Sequence, residues 1–274
     1  MDRNSDFTQL KRGYLFQEPE FDEEVIQNVC PCIEFENSYV LYTNEDKKDK
    51  VISGRERSST ACRWCCGPAR SLTMPWIKGN DVKFTTEKPF RCFRLFNCTP
   101  LCLGSVQTMH RNAKLGHVRE DWCSCTTPSY TLYNEKSVPY ARIKGPSACF
   151  GGLFENCQSA NFRLEELNGR VLTNLVEKQK LNGRSFEEVA LNTFGDSDEY
   201  NLVFPDDATD EEKANKISAM VLLDYMLFEG DKSSLQEGCY LGTFYCCGCV
   251  CPVKCNGNNG NGGDINTGTR TYDF

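Results

Sequence analysis

The sequence offers few imidazole side chains that could act as catalytic bases. It contains only 2 histidines, His110 and His117, and both lie in stretches that read as strands, where a packed or solvated imidazole is commoner than a catalytic one. The motifs G-x-S-x-G, G-x-x-x-x-G-K-[ST] and H-E-x-x-H are absent from the sequence. We therefore expect a protein that is not an enzyme and has no nucleotide site.

Basic charge is also scarce. The chain has 31 lysine and arginine residues against 38 aspartate and glutamate residues, a formal net charge of -7 at pH 7. Nucleic-acid-binding proteins usually present a basic surface, so we expect no nucleic-acid partner. A hydrophobic content of 39% is nevertheless enough to build a core.

The N-terminus lacks the apolar run and small-residue cleavage site of a secretory signal. The 18 cysteines therefore predict free thiols in a reducing compartment rather than a disulfide framework. Several are adjacent, such as Cys65 and Cys66, and adjacent cysteines rarely bridge each other. Clustered thiols suggest S-acylation or metal binding. Cys62 and Cys65 have the spacing of zinc ligands, but no second pair lies at a matching distance.

Short strand-like segments separated by turn residues fill residues 35–180. The candidates are SYVLYTN, KVISGRER, SLTMPWIK, DVKFTTEK, SVQTMH, LGHVRED, SYTLYNE, YARIKG, NFRLEEL and RVLTNLVEKQ. Asn168 and Gly169, between the last two, predict a hairpin with a type I′ turn, which needs positive φ at both central residues. Many consecutive strands with short connections favour an up-and-down barrel, which leaves no exposed edge.

Two capping boxes predict helices. They pair Ser185 with Glu188 before FEEVALNTF, and Thr209 with Glu212 before ANKISAMVLLDYMLFEG. In the second helix, residues 217–228 are apolar on every side except at Ser218 and Asp224, so this segment must be buried all round. It rises only about 18 Å, whereas the hydrocarbon core of a bilayer is about 30 Å thick. This length favours a helix that fills a barrel over one that crosses a membrane.

The acidic segment FGDSDEYNLVFPDD, residues 194–207, suggests a calcium site. Asp196 and Asp198 have the spacing of hard-cation ligands. The segment is not an EF-hand loop, because Asn201 replaces the required glycine and Pro205 stands where a helix should begin. Its alternation instead predicts a strand, and an ordinary acidic turn before that strand is the alternative. The residues predicted to face the core are Tyr200, Leu202 and Phe204.

Several of these stretches together resemble the phospholipid scramblase family. They are CRWCCGPARSL at 62–72, LGHVREDW followed by YTLYNE, DYMLFEG at 224–230, and the acidic segment, which is similar to D-x-D-x-aromatic-x-aliphatic-x-F-P-x-D. The resemblance covers about residues 35–231. It implies a tubby-like fold, a mainly β protein in which a closed twelve-stranded antiparallel barrel encloses a hydrophobic C-terminal helix.

The chain then divides into three expected parts. Residues 1–34 form a short polar N-terminal arm, and residues 35–231 form the scramblase barrel domain with its central helix at about 210–229. Residues 232–274 form a tail that is first cysteine-rich and then rich in glycine and asparagine, and the last part of it is expected to be flexible.

The resemblance implies ATP-independent, calcium-responsive movement of phospholipids in both directions between bilayer leaflets, at the cytoplasmic face of the plasma membrane. Membrane phospholipids are the implied partners. The implied calcium ligands are Asp196, Asp198 and Asp207. The alternative is a membrane-tethered module that senses lipids or calcium and regulates partners without moving lipid, since a fold alone does not decide function.

Covalent palmitate is the expected membrane attachment. The acylated cysteine run of the family corresponds here to the dispersed Cys92, Cys98 and Cys102. The tail has a denser cluster that is expected to replace it, formed by Cys246, Cys247, Cys249 and Cys251. One acyl chain gives only marginal membrane binding, so at least two modified cysteines should be needed.

Overall fold

The computed structural model describes residues 10–18, 36–60, 63, 70–90, 103–122, 127–145, 160–179, 199–228, 240–246 and 249–254. Within them, twelve antiparallel strands form a closed barrel. The strands are β1 Arg12–Glu18, β2 Ser38–Tyr42, β3 Lys50–Arg55, β4 Leu72–Lys78, β5 Asp81–Lys88, β6 Ser105–His110, β7 Ala113–Glu120, β8 Ser129–Asn134, β9 Pro139–Lys144, β10 Ala160–Glu165, β11 Val171–Gln179 and β12 Glu199–Val203. Successive strands are neighbours, so the predicted up-and-down barrel is confirmed.

The barrel begins earlier in the chain than the sequence predicted. Strand β1 pairs Leu15 with Leu41 of β2 on one side and with Tyr200 of β12 on the other, which closes the ring. The predicted arm at residues 1–34 therefore contains a barrel strand, and a domain boundary at residue 35 is wrong. The buried positions of β1 are Gly13, Leu15 and Gln17, and a single large apolar residue among three gives little hydrophobic alternation.

The hairpin predicted at Asn168 and Gly169 is confirmed, but its turn type is wrong. Among these two residues only Gly169 has a positive φ, of 91°, and its N–H donates to the Glu166 carbonyl at 2.9 Å. The loop is thus a β-turn followed by one left-handed glycine. Positive φ at both loop residues occurs instead between β6 and β7, at Arg111 (46°) and Asn112 (68°).

Helix α1, Asp210–Leu223, passes into a π-helical turn, Asp224–Phe228. The predicted capping box is confirmed, because the Glu212 N–H donates to the Thr209 hydroxyl and the Thr209 N–H donates to the Glu212 carboxylate, each at 3.3 Å. Every residue from 213 to 225 is buried. The barrel therefore surrounds the segment, as predicted. In the part of the chain that the structure describes, no helix has both the length and the apolar content of a bilayer span.

Because the strands are joined in up-and-down order, the connections at the two ends of the barrel differ in length. Odd-numbered strands all run in one direction, so the connections that follow them leave the barrel from one end, called here the long-loop rim. These connections are residues 19–37, 56–71, 89–104, 121–128, 145–159 and 180–198. The opposite end, called the hairpin rim, has the connections 43–49, 79–80, 111–112, 135–138 and 166–170. Helix α1 begins at the hairpin rim, because it follows β12.

The tail contains two strands that the sequence did not predict. Strands β13 Tyr240–Cys246 and β14 Cys249–Lys254 pair as an antiparallel hairpin. Aromatic and β-branched residues favour strands, and β13 contains Thr243, Phe244 and Tyr245, so a local signal for this strand was present. Residues 255–274 and the helix predicted after Ser185 lie outside the described residues.

Candidate functional site

Strand β12, Glu199–Val203, forms the middle of the acidic segment. Tyr200 and Leu202 are fully buried, and Phe204 just beyond the strand is 3% exposed. These residues pack in the barrel core with the residues of helix α1. The predicted inward face of this strand is therefore confirmed.

The structure describes one of the three predicted calcium ligands. Asp207 is exposed in a turn after β12, where the Ala208 N–H donates to the Pro205 carbonyl at 3.1 Å. Asp196 and Asp198 lie outside the described residues. Among the residues that are described, no three histidine, cysteine, aspartate or glutamate side chains are grouped so as to hold a metal ion.

The length of β12 matters for the predicted calcium ligands, because the strand lies in the chain between Asp198 and Asp207. The Phe204 N–H donates to the Lys11 carbonyl at 3.0 Å, so pairing with the first strand continues past Val203. An extended stretch from 199 to 204 spans about 17 Å, whereas two oxygens bound to one calcium ion lie within about 5 Å of each other. Asp198 directly precedes this stretch and Asp207 follows it. The extended strand therefore lies in the chain between Asp207 and the position that Asp198 has in the sequence.

A buried carboxylate lies where the π-helical turn begins. Asp224 is 2% exposed and accepts hydrogen bonds from the hydroxyls of Tyr39 on β2 and Tyr200 on β12. A buried carboxylate without donors is strongly unfavourable, so these two bonds hold the end of the helix against both strands. Because Tyr200 belongs to the acidic segment, this contact connects that segment to the central helix.

A buried ion pair holds the next residue of the turn. The Arg70 Nε lies 2.8 Å from Glu56 Oε1, and both side chains are fully buried. The Tyr225 hydroxyl donates to Glu56 as well, while the Arg70 guanidinium lies 4.7 Å from the centroid of the Tyr225 ring. Burial by itself would raise the pKa of Glu56, but the hydrogen bond and charge of Arg70, with donors from Ser58 and Tyr225, bring it below its ordinary value. The carboxylate is therefore ionised in the fold.

Polar contacts also fix the first half of the helix. The Asn215 side chain accepts from the Thr108 hydroxyl at 2.9 Å and donates to the Tyr140 hydroxyl and the Tyr133 carbonyl, both at 3.2 Å. Gly116 gives the helix room, because a Cβ there would lie 2.7 Å from the Tyr133 carbonyl and 2.9 Å from Asn215 Nδ2. The helix is therefore joined to the barrel wall along its length by specific hydrogen bonds as well as by apolar packing.

Lys216 is a buried cation near the start of the helix. It is 2% exposed, and its Nζ lies 3.9 Å from Glu212 Oε2. Burial lowers the pKa of Lys216 to about 8, although the charges of Glu212 and Asp207 raise it in part.

Both histidines lie in strands, as predicted. His110 Nδ1 lies 2.6 Å from the Lys83 carbonyl. His117 stacks on Tyr133 with 4.3 Å between ring centroids. Burial, with the charges of Lys114 and Arg119, lowers the pKa of His117 to about 4. Its ring is therefore neutral at pH 7.

Most predicted acylation sites lie outside the described residues, namely Cys92, Cys98, Cys102 and Cys247. The backbone of the other three is described in the tail hairpin. In its register Cys246 is opposite Cys249, and Cys251 is opposite Phe244. The structure thus brings two of the predicted tail sites to directly paired positions.

The class of fold is a closed twelve-stranded barrel that contains a buried helix. The contacts of Asp224 and Tyr225 join this helix to the barrel wall. A comparison with protein-family models gives a match to the model described as Scramblase, over residues 22–230. The chain belongs to the scramblase family.

Three curated relatives show the extent of the similarity. Phospholipid scramblase 1 of Homo sapiens is 28% identical over 191 residues, which cover 69% of this chain and 56% of that protein. Phospholipid scramblase 2 of Bos taurus is 26% identical over 200 residues, covering 72% of this chain and 64% of that protein. Phospholipid scramblase 4 of Homo sapiens is 26% identical over 201 residues, covering 72% of this chain and 56% of that protein. The chain thus spans between half and two thirds of the length of these relatives.

Proposed function

We propose that this chain is a phospholipid scramblase, an ATP-independent translocator that moves phospholipids in both directions between leaflets when calcium rises. The family match over residues 22–230, which include strands β2 to β12 and the central helix, carries the proposal, and membrane phospholipids are the proposed substrates. No covalent step is involved. The proposed location is the cytoplasmic face of the plasma membrane.

The proposed calcium ligands are Asp196 and Asp198. We expect Asp207 not to bind the same ion, because β12 separates it from the other two. Backbone carbonyls and water would complete the six to eight oxygens that calcium prefers, and so few carboxylates suggest a dissociation constant of about 10⁻⁴ to 10⁻³ M. Tyr200 follows closely in the sequence and binds Asp224, so a change in the segment on calcium binding would act directly on the central helix.

Palmitoylation of the tail cluster is the proposed anchor. Replacement of all four tail cysteines by serine should release the protein from the membrane fraction; they are Cys246, Cys247, Cys249 and Cys251. Replacement of two at a time should release it in part, because stable anchoring needs two acyl chains. Unchanged acyl labelling and fractionation of the fourfold variant would exclude the tail as the anchor. The matched comparison is the variant in which serine replaces Cys92, Cys98 and Cys102, the acylation site implied by the family resemblance. Its acyl labelling and membrane fractionation are measured in the same way.

The tightly packed barrel supports a second candidate. Helix residues 213–225 are buried, so the described interior shows no groove that a lipid head group could follow. A membrane-tethered module that senses lipid or calcium and regulates partners would need no such path.

Reconstitution into liposomes with a fluorescent lipid separates the two candidates. Addition of an impermeant quencher removes only the outer-leaflet signal unless lipid crosses the bilayer. A scramblase makes the inner-leaflet label accessible when calcium is added, whereas a tethered module leaves about half of the signal protected. Protection equal to that of protein-free liposomes would refute scrambling by this chain.

A further inference from the structure

The outer wall of the barrel has a groove close to the long-loop rim. The groove has a volume of about 400 Å³ and is lined by residues 57–59, 71–73, 87–89 and 107. It therefore crosses the start of β4, the end of β5 and the start of β6, beside the residues that follow β3. Pockets that hold small ligands have volumes of about 300 to 1,000 Å³, so this groove is large enough for a small polar molecule.

Strand pairing places four polar side chains in one row across the groove. Arg57 forms a bridge with Thr73, Thr73 pairs with Glu87, and Glu87 pairs with Gln107. Residues directly opposite each other in a sheet project from the same face, and all four of these are exposed. The row therefore lies on the outer wall and contains one positive and one negative side chain.

The two charges of the row are kept apart by one strand. Neighbouring strands lie about 4.8 Å from each other, so the backbones of Arg57 and Glu87, with Thr73 between them, are about 10 Å apart. Neither side chain forms an ion pair with another residue that the structure describes. Both charges are therefore available to a ligand that itself carries a negative and a positive group.

Buried contacts fix the floor of the groove. The third charged residue that lines it, Lys88, is only 2% exposed, and its ammonium donates to the Arg70 carbonyl at 2.7 Å. The Ser58 hydroxyl donates to Glu56 at 2.6 Å, and Glu56 and Arg70 form the buried ion pair that holds the central helix. The floor is thus in place before a ligand binds, which reduces the entropic cost of binding.

The chemistry of the groove favours one kind of ligand. Arg57 can form two parallel hydrogen bonds to a phosphate, whereas Glu87 would repel a second negative charge. Quaternary ammonium groups such as choline are held by aromatic rings, and no described residue that lines the groove is aromatic. A primary ammonium instead donates hydrogen bonds, which the Glu87 carboxylate and the Gln107 amide oxygen can accept.

We propose that this groove binds the phosphoethanolamine head group of a phospholipid. Arg57 and the exposed Ser71 hydroxyl hold the phosphate, and Glu87 and Gln107 hold the ammonium. The proposal rests on the scramblase function proposed above and adds to it a preference for ethanolamine lipids over choline lipids. A serine head group binds more weakly, because Glu87 repels its additional carboxylate.

Soluble head groups test the site in the full chain, with binding followed by saturation-transfer NMR of each probe. We expect glycerophosphoethanolamine to bind more tightly than glycerophosphocholine and glycerophosphoserine. Phosphoethanolamine, the free monoester, has a second negative charge on its phosphate and should also bind more weakly. Tighter binding of this monoester would mean that the groove holds a soluble metabolite, and it would overturn the assignment to a lipid.

Two variants separate the roles of the two charges. Arg57→Gln should weaken the binding of glycerophosphoethanolamine about tenfold, the loss expected for a hydrogen bond to a charged group. Glu87→Gln should weaken it as well, but should strengthen the binding of glycerol 3-phosphate, which has no ammonium. Arg119→Gln is the matched control, because Arg119 is an exposed arginine of β7 outside the groove, and both affinities should stay unchanged. All three positions are exposed, so the fold should be retained.

Three results would overturn the head-group site: no binding of glycerophosphoethanolamine, equal or tighter binding of the choline or serine probe, or equal losses in Arg57→Gln and Arg119→Gln. Scrambling of phosphatidylethanolamine labelled on its acyl chain, assayed in liposomes, keeps the two proposals apart. Scrambling without binding of the head-group probe would refute only the groove. Binding that Arg57→Gln weakens, without scrambling, would refute only the translocator function.

Discussion

Tyr200 of strand β12 donates its hydroxyl hydrogen bond to Asp224, where the central helix passes into its π-helical turn. Both residues are buried. The contact joins the strand that follows Asp196 and Asp198 to the only helix that the structure places within the barrel, among the residues described. It therefore gives a direct contact through which a change in the acidic segment could reach the central helix.

Removal of the Tyr200 hydroxyl should destabilise the fold. Tyr200→Phe leaves buried Asp224 with Tyr39 as its remaining tyrosine donor, and leaving a buried polar group short of a hydrogen bond costs about 1 to 3 kcal/mol. Urea denaturation measures the change. Tyr42→Phe is the control, because the half-buried Tyr42 makes no side-chain hydrogen bond in the described structure, and it should change the free energy of unfolding by less than about 0.5 kcal/mol.

Loss of the Glu56 charge should have a larger effect. Glu56→Gln leaves the fully buried Arg70 guanidinium without its ionised partner, and breaking one side of a buried ion pair costs about 3 to 5 kcal/mol. Glu166→Gln breaks a surface pair with Arg170 and should cost less than about 1 kcal/mol. Equal destabilisation by the two variants, measured in urea, would show that the buried pair does not hold the helix.

His117 should make stability depend on pH. Its pKa is lowered from 6.5 to about 4 in the fold, so below pH 6.5 the unfolded chain binds a proton that the folded chain does not. Stability should therefore fall as the pH drops from about 6.5 to 4, with no further contribution from this group below that range. His117→Phe preserves stacking on Tyr133 and should flatten this part of the profile of Tm against pH. A profile identical to wild type would contradict the assignment.

The apolar packing of the helix gives a fourth prediction. Leu222 is fully buried within the barrel, so Leu222→Ala should cost about 2 to 5 kcal/mol. Leu172→Ala is the matched control, since Leu172 is 39% exposed on β11, and its cost should be much smaller. A comparable loss of Tm in both variants would mean that residue 222 is not a core position.

Local sequence patterns were sufficient for most of the barrel. The alternation of Tyr200, Leu202 and Phe204 predicted β12 and its inward face, and the capping box at Thr209 predicted the start of the helix. Strand β1 was missed, because its inward positions include Gly13 and Gln17. Hydrophobic alternation cannot show such a strand, whose place is set by pairing with β2 and β12 at opposite ends of the chain.

The candidate site was less accessible to sequence reasoning. The spacing of Asp196, Asp198 and Asp207 suggested one ligand set, but it did not show how far strand β12 and its pairing continue before Asp207. The partners of Asp224 lie on β2 and β12, and the partners of Glu56 include Arg70 and Tyr225. Such contacts between residues far apart in sequence follow from the closed barrel and not from any local pattern.

Calcium-dependent scrambling in liposomes tests the central claim most directly. The full chain would be compared with the variant Asp196→Ala, Asp198→Ala and with Asp207→Asn, each carrying the same fluorescent lipid and assayed over calcium concentrations up to about 10⁻³ M. We expect calcium to expose the inner-leaflet label with the wild type and with Asp207→Asn, but not with the double variant. Calcium-dependent exposure by the double variant equal to that of the wild type, or its loss in Asp207→Asn alone, would contradict the account.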